Sequence, residues 1–260
     1  MRVFGLIGYP LGHSFSKRYF TEKFARDGIA DAVYELFPLA DIAELPGLLA
    51  SQPHLRGLNV TIPYKEQVLP FLTELDPAAR RIGAVNVIRI GADGSRTGYN
   101  SDYFGFRSTL ETFLAKNAQN APRLRALVLG TGGASKAVKV ALEDMGIGHV
   151  SVSRQAGGGV VSYADVTPEI LEEHRLIINT TPLGMHPEAN SCPPLPYKAL
   201  TADHLLYDLV YNPEQTVFLQ RGAAQGAETF GGLPMLHGQA EKSWEIWNSP
   251  EAGGGRSGLS

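Results

Sequence analysis

The sequence predicts an α/β protein whose second half is a doubly wound parallel sheet, and three observations carry that prediction. The run Val128-Leu129-Gly130-Thr131-Gly132-Gly133-Ala134-Ser135-Lys136 passes from an apolar strand through a glycine-rich turn into a helical pattern. From about residue 124 to about residue 230, strand-like and helical stretches alternate, which calls for parallel strands joined by crossover helices. Ahead of them, strand-length runs at Arg2–Gly8, Ala32–Phe37 and Leu58–Ile62 also alternate with helical patterns, so an α/β region precedes the parallel sheet.

Composition excludes several classes of function. At 260 residues there is room for two modest domains, and 43% hydrophobic with 19% charged residues is ordinary for a globular protein. A net charge of −3 with scattered Lys and Arg argues against nucleic acid as a partner. Cys192 is the only cysteine, so it forms no internal disulfide, and it lies in a proline-rich stretch without an obvious histidine to activate it. No run approaches the roughly 18 apolar residues of a membrane span, and no basic segment leads into an apolar export core, so the cytoplasm is the expected compartment. No metal site is expected.

In chain order, Arg2 to Gly8 is an apolar run bounded by glycine and Tyr9-Pro10, short enough for a buried strand. Gly12-His13-Ser14-Phe15-Ser16 leads into a helix with Tyr19, Phe20, Phe24 and Ile29 on one side. One serine before a helix is explained as an N-cap, but the second is not; two hydroxyls beside helix N–H groups would also hold a carboxylate, and both readings stand. Ala32 to Phe37 is the next strand, and Ile42, Leu45, Leu48 and Leu49 mark a helix. Leu58 to Lys65 alternates apolar and polar residues up to Pro63, which suits the first turn of a helix and puts Asn59, Thr61 and Lys65 at a strand end and helix start. Open α/β sheets take ligands at strand ends, and a lysine in a first turn opposes the helix dipole, which points to a purpose other than stability.

Gly83–Ile90 and Arg96–Tyr99 form a hairpin around Ala92-Asp93-Gly94. Asn86 is polar in an apolar strand and needs a buried partner or a ligand. Asn100-Ser101-Asp102 precedes a helix from Tyr103 to Leu114, and a helix cap is an adequate account of Asp102. Lys116 to Pro122 is polar and reads as a surface connection. Leu171 to Asn179 runs from a helix into a strand that ends at Thr180-Thr181, and Leu205 to Leu209 is a further strand ending near Tyr211, followed by a helix from Glu214 to Gln225. The last helix, Leu236 to Trp247, spaces Leu236, Ala240, Trp244 and Trp247 for one buried face with Gln239 beside it. The Gly- and Ser-rich stretch from Ala252 to Ser260 reads as a mobile tail.

The glycine turn presents backbone N–H groups and the positive end of a helix dipole, which suit a pyrophosphate. Gly130 permits the tight turn, Gly132 the close approach of phosphates, and Ser135 stands where the dinucleotide fingerprint has its third glycine. A P-loop is excluded because Ser135 precedes Lys136 and Ala137 follows it. The next strand, His149 to Ser153, ends at Arg154 with no carboxylate. That arrangement accommodates a 2′-phosphate and favours NADP, with a solvated arginine at a strand end as the plainer alternative.

Taken in order, GYPLGHSFS at 8–16, NVTIPYK at 59–65, GAVN at 83–86, GYNSD at 98–102, GTGGASK at 130–136, NTTPLGM at 179–185 and GGLPMLHGQA at 231–240 resemble the shikimate dehydrogenase family over nearly the full length. The resemblance implies two domains. Residues 1–101 plus 236–260 would form an α/β substrate domain, to which the C-terminal helix returns, and residues 102–235 a Rossmann-type NADP domain, with a cleft that opens and closes. It implies reversible NADPH-dependent reduction of 3-dehydroshikimate to shikimate, on the route to chorismate and the aromatic amino acids. The expected molecule is a cytoplasmic monomer or homodimer acting on a small-molecule substrate, with no nucleic-acid or membrane partner.

Residue by residue, the resemblance implies that Ser14 and Ser16 hold the substrate carboxylate, with Tyr211 nearby, while Asn59, Thr61, Asn86 and Gln239 contact ring hydroxyls. Lys65 and Asp102 match the catalytic pair, Lys65 as proton donor and acceptor and Asp102 as its orienting partner. Gly130, Thr131, Gly132, Gly133, Ala134 and Ser135 would bind the pyrophosphate and Arg154 the 2′-phosphate. Ser153, Thr180, Thr181 and Leu209 complete the cofactor set, with Gly232 and Met235 near the nicotinamide. Hydride addition to a ketone leaves negative charge on oxygen, so a proton must arrive with it; a positioned acid contributes on the order of 10² to 10⁴ in rate.

Three positions depart from the family pattern. Lys17 follows Ser16 where proline is usual, Ser101 replaces the threonine before Asp102, and Gln155 with a glycine run follows Arg154 where a threonine and a second arginine are common. Two rival readings follow: an NAD-accepting quinate/shikimate dehydrogenase, and a non-catalytic ligand-binding regulatory module on the same fold.

Overall fold

Two six-stranded sheets organise the chain in the computed structural model, which describes residues 1–12, 14–117 and 124–249. His13, most of the connection from Lys116 to Pro122 and the tail from Ala252 lie outside the described residues. Contacts divide the chain into one unit of Met1–Arg80, Val85–Tyr99 and the chain from Ala240, and a second of Arg81–Ala84 and Asn100–Gln239.

The first unit holds β1 (Arg2–Gly8), α1 (Phe15–Arg26), β2 (Ala32–Pro38), α2 (Leu45–Ser51), β3 (Leu55–Val60), β4 (Glu74–Leu75), β5 (Val87–Ile90) and β6 (Arg96–Tyr99). Its sheet runs β2-β1-β3-β5-β6-β4. β1 is parallel to both neighbours, whereas β3, β5 and β6 pair antiparallel. The predicted hairpin is present: Gly91 N–H donates to Ser95 O at 2.9 Å, and Gly94 takes a φ of 83°. Its first strand begins only at Val87, with Asn86 just before it.

The helix predicted after Pro63 is absent. Residues 62–68 form turns instead, with isolated bonds such as Tyr64 N–H to Thr61 O at 2.9 Å and Val68 N–H to Tyr64 O at 3.0 Å. Pro70 lacks an N–H and restricts Leu69, so the segment closes in a short 3₁₀ turn rather than propagating. The two-residue β4 and the helix α3 (Pro77–Ile82) were not anticipated, because neither is long enough to display a period.

The second unit holds α4 (Ser101–Lys116), β7 (Arg125–Leu129), α5 (Gly133–Asp144), β8 (Gly148–Ser153), β9 (Val160–Ser162), α6 (Pro168–Glu173), β10 (Leu176–Asn179), β11 (Leu205–Asp208), α7 (Val217–Ala223) and β12 (Glu228–Phe230). All pairs are parallel, in the order β12-β11-β10-β7-β8-β9. Chain progress reverses direction between β7 and β10, which is the doubly wound pattern the sequence predicts. β9 is an addition: three residues past the glycine run pair with β8. α7 starts three residues later than expected, because Thr216 caps it by accepting from Leu219 N–H at 3.4 Å.

α8 (Leu233–Asn248) opens in the second unit, and from Ala240 it belongs to the first. There Trp247 stacks on Phe4 with ring centroids 4.9 Å apart and donates its indole N–H to Ile88 O at 3.0 Å. Gly57 on β3 lies directly beneath that indole, and a Cβ there would come within 2.2 Å of Trp247 Nε1. Gly57→Ala therefore forces the indole off its site and costs about 1–3 kcal/mol, read as a Tm lowered by several degrees in thermal unfolding. An unchanged Tm would show that the indole yields without cost.

Candidate functional site

In the first unit the predicted polar residues gather where β1, β3 and β5 end or begin. Ser14 is the N-cap of α1 and accepts from Lys17 N–H at 3.4 Å, so the capping reading of one serine holds. Ser16 lies in the first turn and is half-buried. Asn59 is held on three sides: its Oδ1 accepts from the Tyr34 hydroxyl at 2.8 Å, and its Nδ2 donates to Asn86 O at 3.3 Å and Ser243 Oγ at 3.0 Å. Asn86 is buried, with its backbone bonded to Tyr99 O at 3.1 Å and Val60 N–H at 2.9 Å. Thr61 donates its N–H to Ile7 O at 3.0 Å, across the end of β1. Lys65 sits half-buried in the turn that follows, its carbonyl accepting from Val85 N–H at 2.7 Å.

In the second unit the glycine turn lies at the reversal of strand order. Gly130 takes a φ of 107°, and a Cβ there would fall 2.8 Å from Thr180 Oγ1, so neither conformation nor space admits a side chain. Gly132 is the N-cap of α5 without a side chain to satisfy the first-turn N–H groups, and a Cβ on it would meet nothing within 4 Å. Open space at a helix N-terminus that no side chain caps fits a pyrophosphate. Ser135 is fully buried and turns its hydroxyl inward to Gly132 O at 2.6 Å, which lets α5 pack on the sheet as a third glycine would. Thr131, Gly133 and Ala134 complete the turn and the start of α5.

Ser153 ends β8, and Arg154 is exposed just beyond it, with Gln155 and three positive-φ glycines following. Thr180 is bonded back to Leu129 O through its N–H at 3.0 Å and its hydroxyl at 2.7 Å. Thr181 donates its N–H and hydroxyl to Asn179 Oδ1 at 3.1 and 2.6 Å, and Leu209 N–H reaches Asn179 O at 3.0 Å. Gly232 is packed so closely on Leu209 that a Cβ would lie 2.2 Å from its carbonyl oxygen. Met235 is buried, while Tyr211 and Gln239 are half-buried.

Asp102 is buried in the first turn of α4, but it is not the cap. Asn100 fills that position, its Oδ1 accepting from Tyr103 N–H at 3.3 Å. Asp102 is therefore not the cap, but a carboxylate in the first turn of α4. Lys65 and Asp102 belong to different units. Four supporting residues escaped sequence reading: Tyr34, Ser243, Asp208 and Thr216. Asp208 carried a usable signal, being a carboxylate in the apolar run Leu205-Leu206-Tyr207-Asp208-Leu209-Val210.

Gly130→Ala places a side chain at a positive φ and against Thr180, costing about 1–3 kcal/mol. NADPH affinity by fluorescence titration should fall by an order of magnitude or more, while the CD spectrum stays that of a folded α/β protein. Retained affinity would remove this turn from the binding site.

No helix among the described residues is long and apolar enough to cross a membrane. Residues 6–88 match the model of the shikimate dehydrogenase substrate binding domain. The chain is 33% identical to the shikimate dehydrogenase (NADP(+)) of Desulforamulus reducens, covering 95% of this chain and 89% of that protein. Among solved structures it is similar to shikimate dehydrogenase from Aquifex aeolicus, with a TM-score of 0.83 at 30% identity over 96% of this chain and 93% of that one. It is also similar to shikimate 5-dehydrogenase from Thermus thermophilus in complex with NADP(H) and shikimate, with a TM-score of 0.81 at 32% identity over 96% and 94%. With a doubly wound sheet, a glycine turn at its switch point and relatives matched over 95–96% of its length, the chain belongs to the shikimate dehydrogenase family.

Proposed function

We propose that this protein catalyses the reversible NADPH-dependent reduction of 3-dehydroshikimate to shikimate in the cytoplasm, the first unit binding substrate and the second NADP. The observation that carries the reading is the match across 95% of the chain to a protein that bears this activity in its name. The glycine turn supports it: Gly130 and Gly132 leave backbone donors open to a pyrophosphate at the strand-order reversal.

Bound NADPH supplies the hydride. The residues of the chain supply binding and the proton. Lys65 Nζ delivers a proton to the oxygen that becomes a hydroxyl and recovers it in the reverse direction, and Asp102 orients that exchange and accepts a hydrogen bond from the substrate. Ser14 and Ser16 donate to the substrate carboxylate, Tyr211 supports it, and Asn59, Thr61, Asn86 and Gln239 contact the ring hydroxyls. Gly130 through Ser135 hold the pyrophosphate, with Ser153, Thr180, Thr181, Leu209, Gly232 and Met235 completing the cofactor site.

Arg154 selects the 2′-phosphate, and no carboxylate stands at the end of β8 to clamp an unphosphorylated ribose. That argues against the NAD-accepting rival. A non-catalytic module has no use for both Lys65 and a buried, non-capping Asp102.

Lys65→Ala should lower kcat by about 10² to 10⁴ while the shikimate KM moves far less; unchanged turnover would remove Lys65 from the mechanism. In an assay matrix of shikimate and quinate against NADP and NAD, wild type should favour shikimate with NADP. Arg154→Ala should cut the NADP-over-NAD preference by about tenfold or more. A wild-type preference for NAD, or for quinate, would establish the rival dehydrogenase.

A further inference from the structure

The ends of β10 and β11 share a buried carboxylate that the proposed chemistry leaves unused. Asp208 is fully buried, its Oδ1 accepting from Asn179 Nδ2 at 2.9 Å and from Val210 N–H at 3.0 Å, and its Oδ2 from the Thr216 hydroxyl at 2.6 Å. Asn179 closes β10, whereas Val210 and Thr216 stand at the two ends of the connection from β11 to α7. Asn179 carries Thr181 through the two bonds to its Oδ1, and its Nδ2 also reaches Leu183 O at 3.2 Å. Val210 lies between Leu209 and Tyr211, and its carbonyl accepts from Gly232 N–H at 3.1 Å. Thr216 starts α7. One side chain thus ties together the loop after β10, the loop after β11 and the segment that opens α8.

We propose that Asp208 is a positioning residue for the dinucleotide, holding Thr181, Leu209 and Gly232 in the arrangement that receives it, and that it does so as an anion. The inference rests on the NADP-dependent function proposed above. Three donors converge on Asp208; a carboxylate accepts all three with no hydrogen of its own to place, whereas a neutral carboxyl adds an O–H donor and an amide puts an NH₂ donor in place of one accepting oxygen. A protonated carboxyl, or an amide in its place, turns a hydrogen toward one of them. At Thr216 that hydrogen is accepted only if the bond reverses: the Thr216 hydroxyl hydrogen must turn away from Asp208, and its second lone pair is used beside the one that takes Leu219 N–H.

The anion is within reach of titration. Burial pushes the Asp208 carboxyl up to about 6, against the opposing pull of its bonds from Thr216, Val210 and Asn179. All three partners are neutral. The neighbouring group that feels its charge is Tyr197, whose phenol burial holds well above its ordinary range, so it stays uncharged there. Arg221 of α7 lies 5.2 Å over the Tyr197 ring, and Cys192 lies beside the Tyr197 hydroxyl. Because the folded-state value exceeds the ordinary 3.8, the stability this carboxyl contributes is fully present below 3.8 and is lost as pH rises through about 6. Acidification therefore strengthens this group's part in folding while it weakens cofactor positioning. A merely structural role would move both in the same direction.

The test is NADPH affinity by fluorescence titration of the full chain between about pH 5.5 and about pH 8, for wild type, Asp208→Asn and Thr216→Val. The 2′-phosphate of NADPH titrates near pH 6 as well, so profiles are compared between proteins, with NADH run in parallel. Near pH 8, Asp208→Asn should bind on the order of tenfold more weakly than wild type, and the gap should close toward pH 5.5 as wild type loses its anion. Thr216→Val, which removes a bond that favours the anion, should move the wild-type midpoint upward. Equal affinity near pH 8, or a gap independent of pH, overturns the inference. Should Asp208→Asn not fold, the Thr216→Val midpoint decides: an upward shift supports the inference and an unmoved one overturns it. Wild type that binds no NADPH overturns the proposed function itself, whereas wild type that binds alongside an unaffected Asp208→Asn overturns this inference alone.

Discussion

The cofactor half of the molecule depends on a single reversal. β7 and β10 lie side by side, yet the connection leaving β7 runs toward β8 and the one leaving β10 runs toward β11. Crossovers between parallel strands are right-handed, so connections departing in opposite directions must pass over opposite faces of the sheet. The two chains therefore part above the strand ends and leave a crevice that no side chain of the sheet has to fill. Gly130 and Thr180 face each other there, and their closeness accounts for both residue types: Gly130 has no side chain to collide, and Thr180 is bonded back onto Leu129 rather than projecting outward.

In the first unit the comparable constraint is aromatic. Trp247, Phe4, Phe20 and Tyr34 form one contact group, with Phe20 and Tyr34 stacked at 4.7 Å. The same Tyr34 ends in a hydroxyl bonded to Asn59, so core packing sets the orientation of a candidate site amide. Lys17 adds to this: its ammonium is bonded to Tyr34 O and, at 2.7 Å, to Glu35 Oε2, which fastens α1 to β2. The residue after Ser16 thus tethers the helix that carries it.

Much of the second sheet could be read from the sequence, because β10 and β11 are apolar runs closed by a polar residue and β7 is an apolar run closed by the glycine turn. β9 and β12 could not, since three residues apiece carry no period. The turn after Pro63 misled for a related reason: proline at a first helical position is a sound signal, but Pro70 lies too near for the helix to propagate. Asp102 illustrates the limit for the site. A cap at Asn100 and a cap at Asp102 are equally compatible with Asn100-Ser101-Asp102, and only the bond from Tyr103 N–H to Asn100 tells them apart. Asp208 was missed because an isolated acid in an apolar strand reveals that it needs partners, not which loops supply them.

The two readings of the serines near the N-terminus turn out to be compatible. Ser14 caps α1 as an acceptor, which uses a lone pair and leaves its hydroxyl hydrogen to donate, so capping does not remove it from carboxylate binding. Asn59 shows the complementary polarity. Both of its amide hydrogens are committed, to Asn86 O and Ser243 Oγ, and what it offers a ligand is a lone pair on Oδ1. In the proposed function, the serines would thus offer a donor to the substrate carboxylate and Asn59 an acceptor to a ring hydroxyl. A hydrogen-bonded scaffold that fixes donor and acceptor sense before the ligand arrives discriminates by leaving a wrong partner unpaired, and that cost is larger than the gain from any one correct bond.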